Sequence, residues 1–488
     1  MPRVMVMATQ MPSFLFASLT LLFFFSSLEK GFAFQTRREN KETNNLHQHT
    51  HLVHLSSLLP SSSCSSSTGP KRKASLEVVH KHGPCSQLNN DGRTTHSDIL
   101  RLDQERAKYI HSRLSKNLGH DNTVKELDST TLPAKSGALI GSGNYFVVVG
   151  LGTPKRDLSL IFDTGSDLTW TQCQPCAKSC YEQKDQIFDP SKSKSYSNIT
   201  CKSPLCTQLA TATGNEPGCS SSTQACIYGI QYGDQSFSIG YFGSERLSVT
   251  SSDVIDNFLF GCGQNNDGLF GGAAGLIGLG RHPISLVQQT SSKYHKIFSY
   301  CLPSTSSSTG YLTFGGAGNG NIKYTPFSTL SHGHSFYGLD ITGIAVGRAK
   351  LPVSSSTFSS GGAIIDSGTV ITRLPPTAYD ELRSEFRKGM SKYPMASALS
   401  ILDTCYDLSG YDEVYIPKIN FVFAGGAAVD LPAVGTLYVA SAKQACLAFA
   451  PNRDDSDVTI FGNVQQRTLE VVYDLGGGRI GFGAGGCK

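Results

Sequence analysis

The chain has 488 residues, with 42 Lys and Arg against 38 Asp and Glu, 39% hydrophobic and 16% charged residues, 50 Gly and 14 Cys. At roughly 100–200 residues per domain there is room for two or three domains, and the composition excludes a long disordered or highly charged protein. The net charge of +4 sits in residues 34–133, with 14 basic and 10 acidic residues; residues 134–488 carry 26 and 27, which is not the make-up of a nucleic-acid binder.

Arg3, an apolar run from about Phe14 to Phe25 and the small-x-small sequence Gly31-Phe32-Ala33 predict a secretory signal peptide over residues 1–33. That run is shorter than the roughly 18 residues of a spanning helix, no later stretch approaches that length, and the tail is no lipid-anchor signal, so no stable membrane anchor is expected. Secretion to the apoplast is expected, with chloroplast targeting as the alternative. Residues 34–133 hold nine of the 13 His, a Ser-rich run over Ser56–Ser67 and the basic triplet Lys71-Arg72-Lys73. They read as a propeptide, its 36–70 stretch a plain linker. Ile99, Leu100, Leu102, Ala107, Ile110 and Leu114 recur at helical intervals and predict one helix over about 98–116.

From Leu132 onward the chain runs in short Val-, Ile-, Phe- and Tyr-rich segments punctuated by Gly, Ser, Asn and Pro, as in Tyr145–Val149, Ile227–Tyr232, Phe258–Phe260 and Leu469–Tyr473. This spacing predicts a mainly β protein. Two helices are expected, over Ile284–Lys296 and over Ala378–Met390, the second with Thr377 and Asp380 as a capping box. Twelve of the Cys lie in this body, and an even dozen in an exported chain reads as six disulfides whose connectivity spacing leaves open. The pair Cys173-x-x-Cys176 lacks the second close pair of a zinc ribbon, so no metal is expected. Asn198-Ile199-Thr200 is the one glycosylation sequon.

One tetrapeptide pattern occurs twice: Asp163-Thr164-Gly165-Ser166 and Asp366-Ser367-Gly368-Thr369, each directly after an apolar strand and 203 residues apart. Such a turn presents a carboxylate at a loop tip, with hydroxyls to bond it and a Gly that lets backbone approach. One copy is weak; two copies suit one in each of two similar lobes. Two carboxylates face to face share a proton, so one can take a proton from water while the other polarises a carbonyl.

On these residues the chain resembles the pepsin-like aspartic proteases, in particular the plant nepenthesin-like group. Within it, Leu76–Cys85 resembles a subgroup containing apoplastic proteases and a tobacco chloroplast nucleoid DNA-binding protease. The resemblance implies an all-β, bilobal fold with a few short helices and a Cys-rich insertion, an N-terminal lobe over 134–325 and a C-terminal lobe over 326–488. It implies Asp163 and Asp366 as the catalytic pair, supported by Thr164, Gly165, Ser166, Ser367, Gly368 and Thr369, with Ser367 standing where animal members have Thr. Tyr232, within Ile230–Ser236, matches the flap residue, and Trp170 its indole partner. Gly275–Gly280 and Ile460–Asn463 match the segments threading beneath the catalytic loops. The implied disulfides are Cys173–Cys176, Cys180–Cys262, Cys201–Cys226, Cys206–Cys219, Cys301–Cys487 and Cys405–Cys446. Trp170 lies seven residues after Asp163 and Arg373 seven after Asp366, so pseudo-symmetry places Arg373 near the cleft. A guanidinium there favours acidic peptides; the alternative is a cap on the Leu374-Pro375-Pro376 turn or a surface ion pair.

The expected function is a secreted aspartic endopeptidase made as a zymogen, acting on proteins or peptides as a monomer without cofactor or nucleic acid. The alternatives are an inhibitor-type or protein-binding relative, and a plastid protease that also binds DNA. The chain has no Gly-Lys dipeptide and no His-Glu-x-x-His, which removes a Walker-type phosphate loop and a zinc peptidase motif.

Overall fold

The strand Arg156–Asp163 has its last six residues buried, and the Asp leaves it at the C-terminal end. Burial on both faces explains why Leu158–Phe162 reads as a nearly continuous apolar run. In the computed structural model, residues 49–488 are described except 67–73, 89–93, 118–143, 233–235, 269, 317–320, 330–334 and 488. The expected signal peptide, Lys71-Arg72-Lys73, His47, His120, the flap residues Gly233-Asp234-Gln235 and the boundary at 133/134 lie outside the described residues. Residues His51–Lys488 make one compact unit; of the preceding unit only residues 49 and 50 are described. The fold is mostly β and pepsin-like.

Two local sheets repeat one plan. In the first, Tyr145–Leu151 runs antiparallel to Arg156–Asp163, which pairs in parallel with Gly275–Gly278. Gly275–Gly278 then pairs antiparallel with Trp170–Gln172, and that strand in parallel with Val254–Asp267. In the second, Tyr337–Leu339 runs antiparallel to Ala363–Ile365, which pairs in parallel with Thr459–Phe461. Thr459–Phe461 pairs antiparallel with Thr372–Leu374, and that strand in parallel with Phe449–Pro451. The registers coincide: Phe162 lies beside Ile277 and Ile365 beside Phe461, while Trp170 faces Leu276 and Arg373 faces Ile460. Trp170 and Arg373 are therefore pseudo-equivalent in space, as their spacing predicted.

Ile297–Cys301 pairs with both Thr309–Phe314 and Glu470–Asp474, so early and late parts of the chain share one sheet. Ser75–His80 is inserted in that sheet between Thr309–Phe314 and Tyr145–Leu151. The N-terminal region is thus built into the body. The expected linker over 36–70 is corrected in part: Leu55 and Leu58 of a short turn are buried in the main core, and Cys64 is bonded to Cys85.

Both body helices differ from expectation. The run 284–296 breaks into Leu286–Gln289 and Ser291–Tyr294, because Thr290 leaves helical geometry (φ −101°, ψ 15°) and turns its hydroxyl onto Leu286 O at 2.7 Å. Helix Pro376–Gly389 is present without the capping box: Thr377 N–H and hydroxyl bond Asp455, and Asp380 pairs with Arg383.

Four of the six implied disulfides are corrected, as two exchanges of partner. The parallel pairing of Trp170–Gln172 with Val254–Asp267 brings Cys173 beside Cys262 (Cα–Cα 5.3 Å), leaving Cys176 to close on Cys180. Cys226 is fully buried and faces Cys206 of helix Pro204–Thr213, whereas Cys219, its exposed cross-strand neighbour, bonds Cys201. Cys301–Cys487 and Cys405–Cys446 are found as implied. Asn198 is exposed on a two-residue strand edge.

Candidate active site

The two Asp loops meet head to head. Thr164 N–H donates to Ser367 Oγ at 3.1 Å and Ser367 N–H to Thr164 Oγ1 at 2.9 Å, so the loops are tied by reciprocal bonds and Ser in place of Thr suffices. Asp163 accepts from Gly165 N–H (3.0 Å), and Asp366 from Gly368 N–H (3.2 Å) and Thr369 Oγ1 (2.5 Å). The pseudo-equivalent hydroxyl, Ser166 Oγ, is buried and has no partner among the described residues. A Cβ on Gly165 would come within 2.8 Å of Asp366 Oδ1, and one on Gly368 within 2.6 Å of Asp163 Oδ1. Each Gly thus leaves room for the opposite carboxylate.

The segments beneath hold this pair. Leu279 N–H donates to Asp163 O, Asn463 Nδ2 to Ser367 O and Gln466 Nε2 to Asp366 O. Trp170, wholly buried, donates its indole N–H to Tyr232 Oη at 2.8 Å and packs edge-on against Phe270. Asp167, just past the first motif, accepts from His282 N–H and the Ser335 hydroxyl, and burial pushes its carboxyl up to about 6.

A residue that sequence reasoning missed occupies the centre. Helix His96–Asn117 lies in the cleft, and Arg106 donates from Nη2 to Asp163 Oδ1 (2.7 Å) and Asp366 Oδ1 (2.9 Å), and from Nε to Asp366 Oδ2 (2.8 Å). The side chains of Arg106, Asp163 and Asp366 are 14%, 3% and 0% exposed. Burial raises Asp163, which Arg106 opposes and the second carboxylate reinforces. Burial also pushes Asp366 up, but Arg106, the Thr369 hydroxyl and Gly368 N–H together hold it below the ordinary carboxylate value. Two negative charges and one cation share a dry volume, so neither carboxylate is available to a water or peptide while Arg106 stays.

The rest of the helix is fitted as closely. Ala107, Ile110 and Leu114 pack on Phe336, Ile364, Val458 and Ile460, and Ile99 and Leu100 on Val370 and Ile371. Tyr109 Oη donates to Gln231 O beside Tyr232, and Arg113 to Ser335. Asp103, fully buried, pairs with Arg373 at 2.9 Å. Arg373 therefore lies in the cleft and bonds neither the Pro375-Pro376 turn nor a surface acid. The one sequence signal for Arg106 and Asp103 is that both fall on the stripe that Ile99, Ala107, Ile110 and Leu114 define, where charge is out of place.

Family comparison places these loops in known company. The family described as "Xylanase inhibitor N-terminal" matches residues 145–316, and "Xylanase inhibitor C-terminal" matches 336–484. An aspartyl protease family protein of Arabidopsis thaliana is 60% identical over 445 residues, covering 90% of this chain and 93% of the relative. Aspartic proteinase nepenthesin-1 of Nepenthes gracilis is 37% identical over 359 residues, 71% of this chain and 79% of that protein. Among solved structures, basic 7S globulin from soybean has a TM-score of 0.55 at 20% identity, over 70% of this chain and 94% of its own, a likeness of fold alone.

Proposed function

Because the chain belongs to the plant aspartyl protease family, we propose that it is a secreted aspartic endopeptidase made as a zymogen, whose helix His96–Asn117 fills the cleft until it is removed. The observation that carries this reading is Arg106 bonded to both motif carboxylates. With Arg106 withdrawn, two buried carboxyls tied by Thr164 and Ser367 share one proton. The ionised member takes a proton from a water attacking the scissile carbonyl, and the protonated member polarises that carbonyl's oxygen. Tyr232, held by Trp170, closes over the peptide and excludes bulk water. Export is supported by the apolar run Phe14–Phe25 and by seven disulfides, which persist in oxidising compartments. Among the described residues no helix is long and apolar enough to cross a membrane. Asn198, exposed, is the proposed glycan site.

The family descriptions favour a second reading, a protein-binding relative without activity. Against it stand both carboxylates, the Trp170–Tyr232 pair and an internal cation on the dyad, which an inactive cleft does not need. The test is hydrolysis of a casein or peptide substrate by the acid-treated full chain, with and without a transition-state mimic of the pepstatin type. Inhibitor-sensitive cleavage, abolished by Asp163→Asn, is expected. A pure chain that cleaves nothing after its N-terminal region is removed belongs to the binding class.

A further inference from the structure

Trp170 and Arg373 hold the same register position in the two half-sheets, yet they meet different needs. Trp170 braces Tyr232. Arg373 is 1% exposed; its Nη1 donates to Ile371 O at 2.7 Å, its Nη2 contacts Asp103 Oδ2 at 2.9 Å and Gln104 Oε1 at 3.3 Å, and its Nε has no partner among the described residues. The Asp103 carboxylate also accepts from the backbone N–H groups of Val370 (2.5 Å) and Ile371 (3.0 Å). One carboxylate is thus held by a guanidinium and two main-chain donors. Apart from Ile371 O, all the partners of Arg373 come from helix His96–Asn117, and Ile99 and Leu100 of that helix cover Val370 and Ile371.

When that helix leaves, the body keeps a cation and two N–H groups converging on the place of one carboxylate. Arg373 then loses the carboxylate that balances its charge, and the two N–H groups lose their acceptor. Arg is always charged, and its forked donors match a carboxylate, whereas a carboxamide of the same size would turn an NH₂ toward donors and leave them unpaired. Asp103 precedes Arg106 by three residues, a rise of about 4.5 Å along the helix, so this position adjoins the dyad.

We propose that the mature cleft contains a carboxylate subsite, formed by the Arg373 guanidinium and the N–H groups of Val370 and Ile371, that selects substrates with Asp or Glu within about two residues of the scissile bond. In the unprocessed chain Asp103 occupies it as a substrate side chain does. The inference rests on the peptidase reading and adds a specificity to it.

The experiment uses the acid-activated full chain on peptide pairs that differ only by Glu against Gln, or Asp against Asn, at each position flanking the cut, at pH about 5, where an ordinary carboxyl is ionised. At one position the wild type is expected to prefer the acid by roughly tenfold or more in kcat/KM, the scale of a charge-assisted bond. Arg373→Gln brings that ratio to about one, and Arg373→Lys, charged but unforked, falls between. A wild-type ratio near one at every position overturns the inference, whether or not the variants fold. So does an unchanged ratio in Arg373→Gln. Cleavage of no peptide at all removes the peptidase reading and the subsite with it, an outcome distinct from cleavage without preference.

Discussion

Acid should release the N-terminal region through buried histidines, and His82 gives a magnitude. His80, His82 and His96 line a cavity of about 260 Å³ together with Tyr438 and Arg467. His80 Nδ1 accepts from His82 N–H and is therefore unprotonated there, and His96 Nδ1 contacts Tyr438 Oη at 2.8 Å. Burial first, then the neighbouring Lys81 and His96, lowers His82 from 6.5 to about 3. His80 is lowered by burial and by His82, Arg467, Lys81 and His96, and His96 by burial and Arg467. A pKa depressed in the docked state means that the released segment binds more protons. Docking is then intact above 6.5 and weakens as pH falls toward the docked value. For His82 alone the loss at pH 5 is about 2 kcal/mol, or about thirtyfold in the released fraction. Asp163 and Asp366 stay in the body and lose the Arg106 cation on release, so the pair takes up a proton and adds to release in acid, whereas Asp103, which leaves with the helix and is raised chiefly by burial, opposes it as it protonates. Five of the nine N-terminal His are lowered this way, which makes desolvation, more than mutual repulsion of solvated charges, the source of the pH response. The assay follows loss of the N-terminal region on gels, and hydrogen exchange of helix His96–Asn117, from pH 8 to pH 3. His82→Gln should move the midpoint to lower pH, and the His80, His82, His96→Gln variant further. Identical midpoints in chains equally stable at neutral pH would refute the reasoning.

Three other outcomes follow from the same contacts. Arg106→Ala leaves two buried carboxylates without their cation, a loss of about 3–5 kcal/mol and hence roughly 150-fold or more in release; the unprocessed chain should hydrolyse peptide and begin processing at higher pH, with Arg106→Lys intermediate, and an unchanged onset in Arg106→Ala counts against the contact. Tyr232→Ala should lower turnover more than thermal stability, and Trp170→Phe should do so more mildly through the lost 2.8 Å bond; equal losses of both quantities make them packing residues. Proteolytic mapping without reduction should recover Cys201 with Cys219 and Cys206 with Cys226; recovery of Cys201 with Cys226 would show that Cys226 does not face helix Pro204–Thr213.

How much of this was legible depended on whether the determinant was local. The Asp motifs were readable because each is a turn at the end of an apolar strand, and their duplication gave the pseudo-symmetry that later put Arg373 at the register of Trp170. The loop-to-loop bonds of Thr164 and Ser367 followed from the same four residues. The disulfides of the insertion were not readable, since Cys219 and Cys226 are direct cross-strand partners of which one is buried and the other exposed. Which Cys each meets depends on where helix Pro204–Thr213 packs. The broken helix at Thr290 and the Asp455 cap on Thr377 likewise came from side chains competing for backbone groups, one of them 78 residues away.

The helix over 96–117 shows what a periodic pattern leaves out. Its apolar stripe was visible, and the two charged residues on that stripe, Asp103 and Arg106, would have counted as defects in a helix packed on an ordinary core. Here they are the residues that meet the buried charges of the body. A buried charge persists only where its partner is waiting, and each has one in the body: Arg373 with two backbone N–H groups for Asp103, the Asp163–Asp366 pair for Arg106. The spacing of three residues along one helix face therefore measures the separation of two sites in the cleft. A helix carrying Arg at 103 and Asp at 106 would keep the same composition and the same stripe. It would set a cation on Arg373 and a third carboxylate on the dyad, and should not dock at neutral pH.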